Sequence, residues 1–188
     1  MINIKDVFEK LPRFEQFCSV DKLYQLVEEL KNDERFKIEV AGFSADKSPI
    51  HHIQFGDGAV KVLCVGFPHV DEPIGGMTIF GLLTLLRQNC QSLINEDVQW
   101  HFVPCIDPDG AILNEGWSQC EFSLDSFMKN AHKQNFDDQV DSQFPLKYKN
   151  INFDSGSAEG SVLKNVMDKV KPDFYFSLHN AMIGGGYY

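Results

Sequence analysis

The chain has 188 residues, enough for one domain with a core that needs no disulfides. Hydrophobic residues make up 43% and charged residues 23%, the balance of an ordinary soluble globular protein. A formal net charge of −10 sets the surface against nucleic acid and anionic membrane, whose phosphates it would repel. The five cysteines (Cys18, Cys64, Cys90, Cys105, Cys120) are scattered, odd in number and never in CxxC spacing, which points to free thiols in a reducing compartment. Met1 to Asp6 carries no apolar signal segment and no apolar run reaches membrane-spanning length, so a cytoplasmic protein with no membrane partner is expected.

Asp21 to Lys31 predicts a helix: Leu23, Leu26, Val27 and Leu30 recur at helical spacing, opposite Glu28, Glu29 and Lys31, with Ser19 or Asp21 as the cap. Phe36 to Val40 alternates apolar and charged residues, the pattern of a half-exposed strand. Gly42 and the stretch from Ser44 to Pro49 break the chain before a second strand, Ile50 to Phe55. His51 and His52 are neighbours on that strand, so alternation turns one of them outward. Gly56-Asp57-Gly58 then signals a hairpin. The run from Val60 to Phe67 is nearly all apolar and reads as a strand buried on both faces.

Met77 to Leu86 is apolar almost all round, which suits a helix lying under other elements. Val98 to Pro104 is another strand, in which His101 alternates with Trp100 and Phe102 as a core or sheet-face residue. Asp107-Pro108-Asp109-Gly110 has the composition of a turn. Residues 114 to 157 lack periodicity and are rich in Asn, Gln, Ser and Asp, as expected of an irregular, ligand-facing surface. Gly160 to Val170 reads as a helix ended by Pro172, with Glu159 as an acid in its first turn, and Phe174 to Leu178 as a last buried strand. Helices alternating with buried strands predict an α/β domain over residues 1–188, with a mixed, largely parallel sheet flanked by helices.

His69-Val70-Asp71-Glu72 stands just past one buried strand and His179 just past another. Open α/β sheets place their sites in the crevice beyond the carboxyl ends of their strands. His69 and Glu72 are three residues apart, so a turn can aim both to one side. Two imidazoles and a carboxylate are the protein ligands of a catalytic zinc site with an open fourth position. The HxxE spacing alone is a weak signal, and a lone histidine after Leu178 is ordinarily a hydrogen-bonded core residue. The joint placement, beside turn-forming Pro68, Pro73, Gly75 and Gly76, is what singles out His69, Glu72 and His179 as candidate ligands of Zn2+.

Gly66 to Gly75, Asp107 to Gly110 and Ser177-Leu178-His179-Asn180, together with the segment from Gly42 to Ile50, resemble in their order the zinc carboxypeptidases of the A/B type. The resemblance covers about residues 38 to 188 and corresponds to the N-terminal portion of that family's catalytic domain. It implies zinc on His69, Glu72 and His179 and the family's mixed sheet flanked by helices. It also exposes departures. The family carries an arginine after its Asn-Pro-Asp-Gly turn and an Asn-Arg pair for the substrate carboxylate, yet no arginine follows Arg87 and Ser142-Gln143 stands where the pair is expected. A neutral amide does not replace a bidentate guanidinium. Gln143, Lys133 and Asn180 are the candidate substrate contacts, with Lys129 a further source of charge. The family's general base lies well past the third ligand, so it is expected beyond Tyr188, and the domain is expected to be incomplete at its C-terminus with an unpaired strand edge.

The function expected is zinc-dependent hydrolysis of a peptide or related amide bond by activated water. An N-acyl amino acid deacylase of the aspartoacylase-like group shares the HxxE and His ligation, but the lack of arginine past Arg87 counts against its anion clamp. A zinc-stabilised binding domain without catalysis is the reading from another class. Asp107 and Asp109 are read as turn residues and Glu159 as a structural acid.

Overall fold

A computed structural model describes residues 4–180 apart from 91, 92, 95, 144, 154 and 155. The strands in chain order are Phe36–Phe43 (β1), Pro49–Phe55 (β2), Val60–Val65 (β3), Val98–Val103 (β4), Leu146–Tyr148 (β5), Ile151–Phe153 (β6) and Phe174–Ser177 (β7). The helices are Ile4–Lys10 (α1), Val20–Leu30 (α2), Ile74–Arg87 (α3), Pro108–Leu113 (α4), Glu115–Ser118 (α5), Leu124–Asn130 (α6) and Ala158–Val170 (α7). Five strands form the main sheet in the order β1-β2-β4-β3-β7, while β5 and β6 make a separate small hairpin. The sheet is mixed as the sequence predicts, with β1–β2 and β2–β4 antiparallel and β3–β4 and β3–β7 parallel. Parallel pairing is thus confined to the half that carries β3.

Alternation along the strands sorts the core into two layers. Val62, Cys64, Phe102, Ile53 and Phe55 meet α2 and α3 through Leu26, Val27, Leu30, Ile79, Leu83 and Leu86. On the opposite face Leu63, Val65, Val103 and Ile50 meet Val162, Leu163, Val166 and Val170 of α7. Each fully buried Leu or Ile contributes about 1.5–3 kcal/mol relative to exposure, so these layers fix the register. Ser19 caps α2 as expected, its Oγ accepting from the Lys22 N–H at 3.1 Å. Cys64 and Cys105 are buried small residues, and none of the five cysteines forms a disulfide.

Several sequence expectations are corrected. Gly56-Asp57-Gly58 does not close a hairpin, because β4 lies between β2 and β3. The hairpin is the earlier β1–β2 pair, closed over Ser44 to Ser48. The glycines instead let the chain pass against the start of β4: a Cβ at Gly58 would lie 2.2 Å from the Val98 nitrogen, and Gly56 has φ +80°. His51 and His52 are both buried, since helices cover both faces of β2; His51 packs edge-on against Tyr24 of α2, and His52 faces the α7 side. Asp107 to Gly110 is a helix start rather than a free turn, with Asp107 Oδ1 accepting from the Gly110 N–H at 2.9 Å. Residues 114 to 157 are less irregular than their composition suggests, holding α5, α6 and the β5–β6 hairpin. β7 is not buried but forms the sheet edge, with Phe174 56% and Phe176 49% exposed. No helix among the described residues is long and apolar enough to cross a membrane.

Candidate metal centre

The site is assembled where β3 and β7 end. Past β3, Gly66 threads beside the Pro104 carbonyl, where a Cβ would come within 2.5 Å of that oxygen. Phe67 takes a positive φ of 56°, and its ring lies on Gly76, which has no room for a side chain there. These contacts turn the chain so that His69 and Glu72 face each other before α3, with the Glu72 N–H bonded to the His69 carbonyl at 3.1 Å. From the other side Leu178 donates its N–H to Val65 O at 3.0 Å, which extends the β3–β7 ladder and delivers His179 to the same place.

The sequence-predicted trio converges. Glu72 Oε1 lies 3.1 Å from His69 Nδ1, and Glu72 Oε2 lies 2.8 Å from His179 Nδ1. The two rings meet edge-on with centroids 4.6 Å apart. Asp141, which carries no sequence motif, closes the other side: its oxygens stand 3.6 Å from His69 Nε2 and 3.1 Å from His179 Nε2. One ligand atom each of His69, Asp141 and His179 falls within a 4.8 Å span. Each imidazole therefore has Glu72 at Nδ1 and Asp141 at Nε2. Asp141 could not be found from spacing, because it reaches the site from the weakly patterned stretch between α6 and α7.

The electrostatics follow from this packing. The hydrogen bond to Asp141 raises the His179 pKa against the opposing effect of burial, and Glu72 adds to it. Burial works against the Asp141 charge, but the His179 hydrogen bond and both imidazoles outweigh it and hold the carboxyl below its usual range. Two imidazoles between two carboxylates in a half-buried pocket suit a divalent ion, whose charge would replace that of protons on the ring nitrogens. A further sign is polar atoms left over: Asn180 Oδ1 and Asp71 Oδ1 are buried without a hydrogen-bond partner among the described residues.

The remaining candidates are placed as follows. The Asn180 N–H donates to Glu72 Oε2 at 3.2 Å, so Asn180 steadies the carboxylate through its backbone. Lys133, 63% exposed, stands at the rim with Nζ 3.4 Å from Asp71 Oδ2. Gln143 is half-buried, and its carbonyl crosses Gly160 at the start of α7. Lys129 pairs with Asp125 on the surface of α6. Asp109 accepts from Ser44 Oγ and the Asp46 N–H, and Glu159 accepts from the Ala45 N–H, so both acids anchor the β1–β2 turn. Asp107 caps α4, and burial raises its pKa.

No family model matches the chain. No curated protein matches it either. Solved structures do. A metallo-carboxypeptidase from Burkholderia cenocepacia superposes with a TM-score of 0.58 at 14% identity, over 87% of this chain and 41% of that one. Carboxypeptidase A from Helicoverpa armigera gives 0.61 at 16% identity, over 88% and 46%. Bovine thrombin-activatable fibrinolysis inhibitor gives 0.61 at 16% identity, over 89% and 62%. The chain thus spans less than two thirds of the length of these structures, and over most of its own length it has the fold of the metallo-carboxypeptidases.

Proposed function

We propose that this chain is the metal-bearing part of a zinc-dependent amide hydrolase of the metallo-carboxypeptidase type, with His69 and His179 binding through Nδ1 and Glu72 as the third ligand. The carrying observation is that Glu72 faces both Nδ1 atoms within 3.1 Å while Asp141 faces both Nε2 atoms. A carboxylate that holds the far N–H of a ligating imidazole fixes its tautomer and raises its basicity, and Asp141 takes that part. Zinc bound in such a set polarises a carbonyl and lowers the pKa of water to about 7.

The protein's own groups set the limits of the reaction. Glu72 is held by the Asn180 N–H, and His179 by Asp141 and by Ser177 Oγ at 3.0 Å from Nε2. Asp109 and Glu159 are committed to the β1–β2 turn, which leaves neither free to move a proton at the centre. We therefore assign the general base to neither of them. Substrate recognition is assigned to Lys133, whose Nζ lies 3.4 Å from Asp71 Oδ2, with Asn180 and Gln143 as the further candidate contacts. A single lysine is a point charge without the paired donors that grip a carboxylate, so the substrate class is an amide or peptide without strict need of a free C-terminus. The β5–β6 hairpin and α6 lie outside this set.

The test is metal content followed by turnover. The purified chain should retain about one zinc per molecule, and His69→Ala should lose most of it. A chain extended past Tyr188 should hydrolyse blocked peptides or acyl amino acids in a chelator-sensitive manner. Full zinc occupancy in His69→Ala would overturn the ligand assignment.

A further inference from the structure

On the sheet face covered by α7, the helix stops short. Its last turn, at Lys169 and Val170, ends over the middle of the strands and leaves a groove of about 350 Å³ at the N-terminal ends of β3 and β4. This is the opposite end of β3 from His69. The groove floor is polar, unlike the apolar layer above it. Glu39 on β1 is paired with His52 on β2, and His101 on β4, whose register partner is Gln54, lies diagonally beside His52; both histidines are only 4% exposed. Lys37, Gln54, Gln99 and Lys61 line the rest of the groove.

A row of side chains, running diagonally across the strands from Glu39 through His52 and His101 to Gln99, is hydrogen-bonded end to end. Glu39 Oε1 is 2.8 Å from His52 Nδ1, His52 Nε2 is 2.9 Å from His101 Nδ1, and His101 Nε2 is 2.9 Å from Gln99 Oε1. Both ends of this chain are acceptor oxygens, because the Gln99 amide nitrogen is turned to the Gly56 carbonyl. Three contacts need three hydrogens, and two neutral imidazoles carry two. The row therefore has a place for one additional proton. Its charge environment is cationic: Lys169 joins Glu39 from α7, Lys61 donates to the Val170 carbonyl, and Lys37 is paired with Asp57. Lysines outnumber acids around the groove in a protein of net charge −10, which disfavours a metal ion and favours an anion.

We propose that this groove binds a small anion, a carboxylate or phosphate group, held by Lys61 and Lys169 and accompanied by one proton shared on the His52–His101 row. Burial first, then repulsion from His52, Lys61 and Lys169, holds the free His101 pKa down to about 4, with Glu39 only partly offsetting them. Burial likewise lowers that of His52. An anion between the lysines removes the repulsion that they exert, so anion and proton bind together. Affinity then rises as the pH falls from about 8 toward 6. The proposal is independent of the metal centre.

The experiment follows the ring signals of His52 and His101 by NMR in the full chain during titration with sulfate, standing for phosphate without titrating itself, and with succinate. Expected is a saturable shift at these two rings and not at His69 or His179, tighter at about pH 6 than at about pH 8. Saturation by sulfate alone identifies a phosphate-type ligand, by succinate alone a carboxylate, and by both the shared chemistry. The double variant Lys61→Ala, Lys169→Ala should weaken binding by about tenfold or more, the scale of a lost charge-assisted hydrogen bond. Lys61→Arg, which keeps the charge, should retain it. An absence of saturable shift with either anion, a response at His69 and His179 instead, or equal affinity in the folded double variant would overturn the proposal.

Discussion

Gly75 lies directly beneath Leu178: a Cβ at position 75 would stand 2.5 Å from the Leu178 carbonyl oxygen and 3.0 Å from its Cβ. This contact couples the start of α3 to the exit of β7, and so sets how close Glu72 and His179 can come.

Gly75→Ala should therefore act on the metal centre although residue 75 ligates nothing. Backbone must move to admit the methyl, at a cost of about 1–3 kcal/mol by the usual scale of overpacking. Zinc affinity should fall together with the urea midpoint, whereas Gly81→Ala, whose new Cβ would meet the far end of the Leu11 side chain at 3.1 Å, should leave zinc affinity unchanged. Equal zinc affinity in wild type and Gly75→Ala would show that the coupling is absent.

Glu72→Gln and Asp141→Asn separate ligand from support. If Glu72 and the Nδ1 atoms hold zinc, Glu72→Gln should abolish tight binding, while Asp141→Asn should weaken it by about 10–100-fold, the range for a partner of a ligating histidine. A competition titration against a chromogenic chelator measures both. The reverse order would move the ion to the Asp141 side of the rings.

Acid should destabilise the protein through the buried histidine row. The His101 pKa is held at about 4 by burial first and by its charged neighbours second, against a free value of 6.5, so between these values the unfolded chain binds more protons than the native one. That stability is complete above about pH 6.5 and is lost as the pH falls through about 4, a change on the order of 3 kcal/mol. Urea midpoints measured across this window in metal-free, anion-free buffer should decline in wild type and decline less in His101→Gln.

Substrate preference is open to a direct comparison. If Lys133 takes the substrate's end as proposed, without a guanidinium clamp, amidation of a peptide's C-terminus should slow an active form by less than about a hundredfold, or about 2.7 kcal/mol of transition-state binding. A larger loss would reveal a carboxylate clamp elsewhere.

Much of the framework was legible in the sequence because hydrophobic periodicity reports burial directly. α2, α3, β3 and β4 fall where Leu23 to Leu30, Met77 to Leu86, Val60 to Phe67 and Val98 to Pro104 predict them. His69, Glu72 and His179 meet because strand ends are readable even when strand order is not. Order itself was hidden: glycines at 56 and 58 look the same in a hairpin and in a crossing beneath β4, so the pairing of β2 with β4 left no local mark. Asp141 and the His52–His101 row were also hidden. Asp141 reaches the site from weakly patterned chain, and His52 and His101 come from strands that are neighbours only in space.

The position of β3 carries a consequence for how the chain reaches this state. Val62 is paired both with Trp100 and, much farther along the chain, with Phe174. Closing the second of these loops costs more entropy and must follow formation of the surface on which β7 docks. The central strands can collapse on α2 and α3 while His69 still lacks its partner. His179 then arrives with the last strand, and the two imidazoles meet only when folding is nearly complete, which makes metal uptake a reporter of the final docking step.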